Sequence, residues 1–286
     1  MDAENNLKLY EEVADDLKFH TISAVRMKII ILLSSGPAKT KQLRELSGIQ
    51  SSTILHGIND LEKEGLVIKD GDNYYLSEIG KIIALKLFDT VKTLNALKKG
   101  QSLWLNHEID AIPEELLMNI SCLSNSKLIT SDNINISKVT ETYKKLIGSA
   151  KAIKGITPFF HQDFVEIFEN NVKDNEIKVE LILTDTVLKE IIKGVRLNIK
   201  SFIKLMADKN LNIWLLHEEP KVALTVTDQF LSLGLYAKNG SYDIFKDLIS
   251  EDPDAIEWGY KLFEYYRKEA DKVELKRIDK LISYLI

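Results

Sequence analysis

Gln50, Ser51, Ser52, Thr53, His56 and Asn59 stand close together in the chain and carry amide, hydroxyl and imidazole groups. Such groups donate and accept hydrogen bonds, which is the chemistry needed to read base edges in the major groove of a DNA duplex. Lys39, Thr40 and Lys41 precede them, and Lys69 and Asn73 follow; with Arg44 these have the charge or the polar group for phosphate contacts. Any of these cations taken alone is more often an ordinary solvated residue, so the reading rests on the cluster. Contact with another protein is the alternative use of such a face.

Other chemistries are poorly served. The five histidines, at 20, 56, 107, 161 and 217, are scattered, and Cys122 is the single cysteine. A metal site needs clustered ligands, and a disulfide needs a second thiol. No phosphate-binding Walker loop, Gly-x-Ser-x-Gly or His-Glu-x-x-His is present. The expectation is therefore no catalytic residues, no metal, no cofactor and no enzymatic activity.

A second group could form an effector site. Thr157, Phe159 and His161 follow one strand-like run, and Thr184 and Asp185 follow the next. In open α/β sheets ligands bind beyond the carboxyl ends of parallel strands. A small polar or anionic molecule is expected there, held mainly by backbone N–H groups at helix starts. Trp258 sits on a late aromatic helix that could cover the same edge. Trp258, Phe263 and Tyr266 at helical spacing suit a packed core equally well.

For the first cluster to share a face, residues 51–63 must be helical. Ile54, Ile58 and Leu61 recur at helical spacing and supply its apolar side, and Glu64-Gly65 ends it. Leu66-Val67-Ile68 then reads as a strand, Asp70-Gly71-Asp72-Asn73 as a hairpin turn and Tyr74-Tyr75-Leu76 as the returning strand. Ser77 suits the cap of a following helix. Upstream, Leu7–Phe19 and Ser23–Ser34 read as helices, and Gly36-Pro37 breaks the second. Thr40 is placed to cap a short helix that Gly48 closes. Gly57 costs about 1 kcal/mol against alanine in mid-helix, which points to close approach by a neighbour. Helix, turn, helix, two-stranded ribbon and helix in this order resemble the ArsR/MarR-like winged-helix regulators, in which residues 51–63 would be the recognition helix.

From Ser77 to about Leu105 a long helical pattern carries Ile83, Leu87, Val91 and Leu94 on one side. So apolar a helix needs a partner: the same helix of a second subunit or the chain's own C-terminal domain. Two-fold pairing would set two recognition helices about one DNA turn apart, roughly 34 Å, on a pseudo-palindromic operator. Beyond residue 150, strand and helix patterns alternate, which indicates an α/β domain with a mixed sheet.

Composition neither adds to nor contradicts the DNA reading. The chain has 286 residues, is 45% apolar and carries a formal charge of −5. Its first hundred residues balance at 14 basic and 14 acidic. Since nonspecific DNA affinity comes from phosphate neutralisation, any basic surface must be local. No apolar run approaches the roughly 18–20 residues that span a bilayer, so a cytoplasmic protein without membrane contact is expected.

The segments IPEELLMNI, IKGITPFFHQDFVEIF, KVELILTD, KVALTVTDQFLSLGLYAKNGSYD and LISEDPDAIEWGYKLFEYYRK resemble, in this order, the archaeal methanogenesis regulatory protein family. The resemblance covers about residues 101–270, and with the winged helix nearly the whole chain. It implies a transcription regulator from a methanogenic archaeon, with a distantly phospholipase-D-like regulatory module. Phospholipase-D chemistry requires His-x-Lys, which none of the five histidines satisfies; His217 with Lys221 is nearest, at the wrong spacing. The expected chain is thus an α+β winged helix-turn-helix domain (1–80), a linker and dimerisation helix (81–106), an α/β domain with a mixed sheet (107–271) and a helical tail (272–286). The expected function is a homodimeric regulator binding double-stranded DNA under effector control; an adaptor whose α/β domain binds a protein is the alternative.

Overall fold

The computed structural model describes residues 2–160, 177–195 and 199–285. The chain divides into two compact units, Met1–Val91 and Lys92–Ile286. The helix expected at Asp163 to Asn171 lies outside the described residues.

In the first unit, helices α1 (Ala3–Ile22), α2 (Ala24–Ser34), α3 (Thr40–Ser47) and α4 (Ser51–Lys63) precede a ribbon of β1 (Val67–Asp70) and β2 (Asn73–Leu76). Helix α5 (Glu78–Lys99) follows. The core forms where the apolar faces meet: Ile29, Ile30 and Leu33 of α2 bury against Leu43 of α3 and Ile54, Ile58 and Leu61 of α4. Leu66, Val67, Tyr74 and Leu76 close it from the ribbon side. Gly57 meets α2 so closely that a Cβ would stand 3.0 Å from both Ile29 Cδ1 and Val25 Cγ1. Its mid-helix cost therefore secures helix–helix contact. In the ribbon Asp70 pairs with Asn73 across the two-residue turn Gly71-Asp72, where Gly71 takes a positive φ of 58°.

Two expectations about the downstream helix need correction. It is not continuous to Leu105: α5 ends at Lys99 and α6 (Gln101–Asn106) begins after Gly100. The Trp104 indole folds back onto Gly100, where a Cβ would overlap it, and donates to the Ala96 carbonyl at 3.2 Å. The expected stripe is also only partly exposed. Ile83 and Leu87 pack against the first unit's core, whereas Ile79, Ile82, Leu85, Val91 and Leu94 lie exposed. Helix α1 buries no residue, and Leu7, Leu9, Val13 and Leu17 are exposed along it.

The second unit is built on an eight-stranded sheet. Its strands are β3 (Lys127–Thr130), β4 (Ala152–Thr157), β5 (Lys178–Thr184), β6 (Leu211–Leu216), β7 (Val222–Thr227), β8 (Leu231–Leu235), β9 (Lys246–Ser250) and β10 (Asp271–Lys272). They lie in the order β10-β6-β5-β4-β7-β8-β9-β3. Strands β4, β5 and β6 run parallel and the others pair antiparallel, so the sheet is mixed. On one face, Ile156, Ile182, Leu224, Val226, Leu231 and Leu233 share a core with Leu116 of the short helix α7 (Glu114–Leu117) and Trp258, Leu262 and Phe263 of helix α11 (Pro253–Lys268). The other face is covered by α8 (Lys138–Ile147), α9 (Asp185–Gly194), α10 (Ile199–Ala207) and α12 (Leu275–Leu285). The tail does not prolong the aromatic helix. Residues 271–272 form the edge strand, and Ile278 of α12 is fully buried in this second core.

Candidate functional site

Helix α4 separates two jobs by periodicity. Ile54, Gly57, Ile58 and Leu61 point inward, and Ser52, Thr53, His56 and Asn59 are exposed on the other side. Gln50 occupies the N-cap position without a side-chain cap bond and is exposed, so its amide is unused by the fold; Ser51 is half-buried. His56 Nδ1 lies 3.3 Å from Asp60 Oδ2, one helical turn on, and Asp60 in turn lies 3.6 Å from Arg26 Nη1. Arg26 itself donates from Nη2 and Nε to the Phe19 carbonyl, at 2.8 and 3.1 Å. A buried-side cation thus holds the carboxylate that orients the exposed imidazole.

The expected phosphate contacts are less uniform. Lys41 and Arg44 are exposed on α3. Lys39 is exposed but lies 3.3 Å from Asp72 Oδ2 in the ribbon turn. Lys69 is exposed, 5.8 Å from the Tyr74 ring centroid, while Asn73 is half-buried and closes the ribbon opposite Asp70. Two carboxylates, Asp70 and Asp72, therefore share the ribbon tip with these groups, which reduces its attraction for phosphate. Thr40 is the first helical residue of α3 and not its cap; Lys39 takes that position, and its N–H donates to Gln42 Oε1 at 2.8 Å.

The residues expected at the effector site separate. Thr157 and Phe159 line a cavity on the sheet face beneath α8. Thr184 caps α9, accepting from the Val187 N–H at 3.4 Å. Asp185 is bound to Lys189 at 2.6 Å and Arg277 at 2.9 Å, and those cations hold its carboxyl below the usual range. Trp258 is buried on the opposite face, its indole N–H donating to the Leu116 carbonyl at 2.9 Å. His161 lies outside the described residues.

The cavity, about 230 Å³, arises from strand alternation. In β7 and β8 the large residues Val222, Leu224, Leu231 and Leu233 fill one face, leaving Ala223, Thr225, Ser232 and Gly234 on the other. Gly155, Thr225 and Ser232 are cross-strand neighbours in one row, and Ala223 pairs with Gly234 in the next. Small residues side by side leave a hollow between the sheet and the described helices above it. Toward β5 and β6 it is lined by Val179, Leu181, Ile191, Phe202 and Ile213. Toward β9 it is polar.

That polar end was missed in the sequence. Asp247 is 5% exposed, and its Oδ2 accepts from Ser232 Oγ at 2.5 Å. Its Oδ1 is buried with no hydrogen-bond partner among the described residues. Burial pushes the carboxyl up to about 7, against the opposing pull of Ser232 and the nearby Leu248 N–H. Tyr143 of α8, 3.1 Å from Thr225 Oγ1, is pushed up to about 12 by burial. Tyr242 is raised well above the ordinary phenol value by burial and by the charges around it; its ring covers Gly234 and stacks on Phe159 at 4.4 Å. Both phenols stay protonated. Polar residues alternating with leucines in LSLGL and KDLIS were the available signal. The sequence expectation was a polar or anionic guest; among the described lining residues Asp247 is a carboxylic acid, and when ionised it would oppose an anion.

Among the described residues no cluster of His, Cys, Asp and Glu could hold a metal ion, and no helix is long and apolar enough to cross a membrane. Residues 14–95 match the family described as the N-terminal domain of methanogenesis regulatory protein FilR1, and residues 136–269 match its middle domain. The chain is 28% identical over 267 residues to methanogenesis regulatory protein FilR1 of Methanothrix harundinacea. That alignment covers 92% of this chain and 59% of the relative, so the chain spans only part of its length. Among solved structures, the archaeal chromatin protein TrmBL2 superposes with a TM-score of 0.41 at 16% identity, covering 95% of this chain and all of the other. A phospholipase D family member, Nuc of Salmonella typhimurium, gives 0.38 at 11%, over 52% of this chain and 97% of the other. Both scores are too low to establish a shared fold.

Proposed function

The chain belongs to the family of the methanogenesis regulatory protein FilR1, and on that premise we propose that it is a transcription regulator that binds double-stranded DNA. The first unit is read as a winged helix-turn-helix with α4 as the recognition helix and the β1–β2 ribbon as the wing. The observation that carries this is the outward row Gln50, Ser52, Thr53, His56 and Asn59 on a helix whose other side is fully buried. Those polar groups have no role in the core and face outward, His56 with its Nδ1 on Asp60 and its Nε2 turned to the outside of that pair. Phosphate contacts fall to Lys41, Arg44 and Lys69, with Lys39 and Asn73 secondary because both are engaged within the unit.

The working form is read as a homodimer on a pseudo-palindromic operator. What supports it is the apolar surface of α1 and α5, with Ile82 and Leu85 61% and 72% exposed. A second copy would cover such faces at low cost. Substituting Ile82 and Leu85 together by aspartate is expected to give monomers by sedimentation at micromolar concentration; a wild-type monomer there removes the dimer. The second unit is read as the regulatory module, and its cavity favours a small-molecule effector over the adaptor alternative.

Genome-wide mapping of bound DNA would supply the operator. On it, Ser52→Glu and His56→Glu are each expected to weaken binding by about 100-fold or more, since each sets a carboxylate against the duplex, while melting stays unchanged. Undiminished affinity in both variants would remove α4 as the reader.

A further inference from the structure

The cavity beneath α8 has the two ends of an amphipathic guest. One is a wall of Val179, Leu181, Ile191, Phe202 and Ile213 that offers only dispersion contacts. The other carries Asp247, Ser232, Thr225, Tyr143 and Tyr242. Most of these polar groups already serve one another: Ser232 donates to Asp247, and Tyr143 pairs with Thr225. Asp247 Oδ1 is the exception, a buried acceptor with no partner among the described residues. A buried unmet carboxylate oxygen is costly and calls for a donor. Among the described residues no Lys or Arg lines the cavity.

We propose that this cavity binds a small organic amine, its ammonium seated on Asp247 Oδ1 and its apolar body lying against the Phe202 and Leu181 end. An ammonium brings the charge and the N–H donors that the carboxylate lacks. Tyr242 adds a phenolic oxygen close to Asp247, and its ring with Phe159 makes an aromatic wall suited to a cation. The volume of 230 Å³ suits a guest of one ring or a short chain, near the small end of ligand sites. A regulatory meaning rests on the DNA-binding reading above; the binding itself does not.

The test uses the full chain without DNA and a matched set of probes: 2-phenylethylamine, 2-phenylethanol and phenylacetate, titrated by calorimetry at pH 8. The amine is expected to bind about tenfold or more tightly than the alcohol, and phenylacetate not detectably. Asp247→Asn is expected to remove that amine preference and leave the alcohol unaffected. Ala223→Leu, which fills the floor beside Gly234, is expected to abolish binding of both. Should either variant fail to fold, the wild type decides: as pH falls from 8 to 6 and Asp247 takes up a proton, amine affinity must drop. Among the described residues the titratable side chains facing it, Tyr143 and Tyr242, stay neutral over this range. Equal affinity for amine and phenylacetate, no amine binding, or pH-independent amine binding would each overturn the proposal. A protein that binds the amine but no DNA keeps this inference and loses the regulatory one.

Discussion

The first unit and the α8-covered face of the sheet handle their interiors in opposite ways. Around α2 the fully buried positions Ile29, Ile30 and Leu33 are apolar and in contact, and a Cβ on Gly57 would meet two side chains. On the sheet face, neighbouring small residues leave a hollow, and an acid lies buried at its end. In the first unit the proposed site is the outside of a full core, so its chemistry is independent of the packing. In the second it is a hollow among the described core residues, so its chemistry is tied to stability. A surface site of the first kind tolerates changes of sequence, whereas a buried site carries a cost the fold must bear.

Three substitutions would break or sharpen this contrast. The largest effect is expected from Gly80→Ala, because a Cβ there would overlap the Leu66 carbonyl oxygen, which cannot yield without moving the ribbon. A loss of roughly 3 kcal/mol or more is expected, read as a lowered thermal transition by circular dichroism. Ordinary stability in this variant would show that the first unit is not tightly filled.

Asp247→Asn should act in the other direction. Its carboxyl is raised from 3.8 to about 7 in the fold, so between these values the unfolded chain ionises first and stability falls as pH rises. Above pH 7 the full penalty is present, with an upper limit of roughly 4 kcal/mol. Asparagine keeps an acceptor for Ser232 and removes the charge. The variant is therefore expected to gain about 2 kcal/mol at pH 8 and progressively less toward pH 5, measured by urea unfolding. A loss of equal size at both pH values would mean the carboxylate is not a buried liability.

The smallest effect is expected from Gly155→Ala on the cavity floor. Its Cβ would meet Leu181 Cδ2 at 3.1 Å, but that methyl borders the hollow and has space to turn into. The change should stay within about 1 kcal/mol. A penalty as large as that of Gly80→Ala would show that this face is as rigid as the first unit.

Helix α4, the ribbon and the Gly57 contact were readable because each is written in residues a few positions apart. Ile54, Ile58 and Leu61 define a face by themselves, and Asp70-Gly71-Asp72-Asn73 defines a turn by itself. Strand β9 and the edge strands β3 and β10 were not foreseen, since KDLIS, KLIT and DK are too short to show a period. The break at Gly100 escaped for another reason: an unbroken apolar pattern hides an indole that folds back on its own helix. Of the expected α5 stripe, Val91 and Leu94 are exposed but Ile83 and Leu87 pack on the core, because the neighbouring core decides which part of an apolar helix stays open.

The sequence by itself carried the family resemblance, in whole segments, and the polar row of α4, in the spacing of residues a few positions apart. The tertiary structure alone decided that Thr157 and Phe159 share a cavity while Thr184, Asp185 and Trp258 do not. It alone joined Tyr143, Thr225, Ser232 and Asp247, residues from four elements spread over a hundred positions. The physical reason is register: which small residues fall side by side in a sheet depends on how its strands pair, and no single strand carries that information.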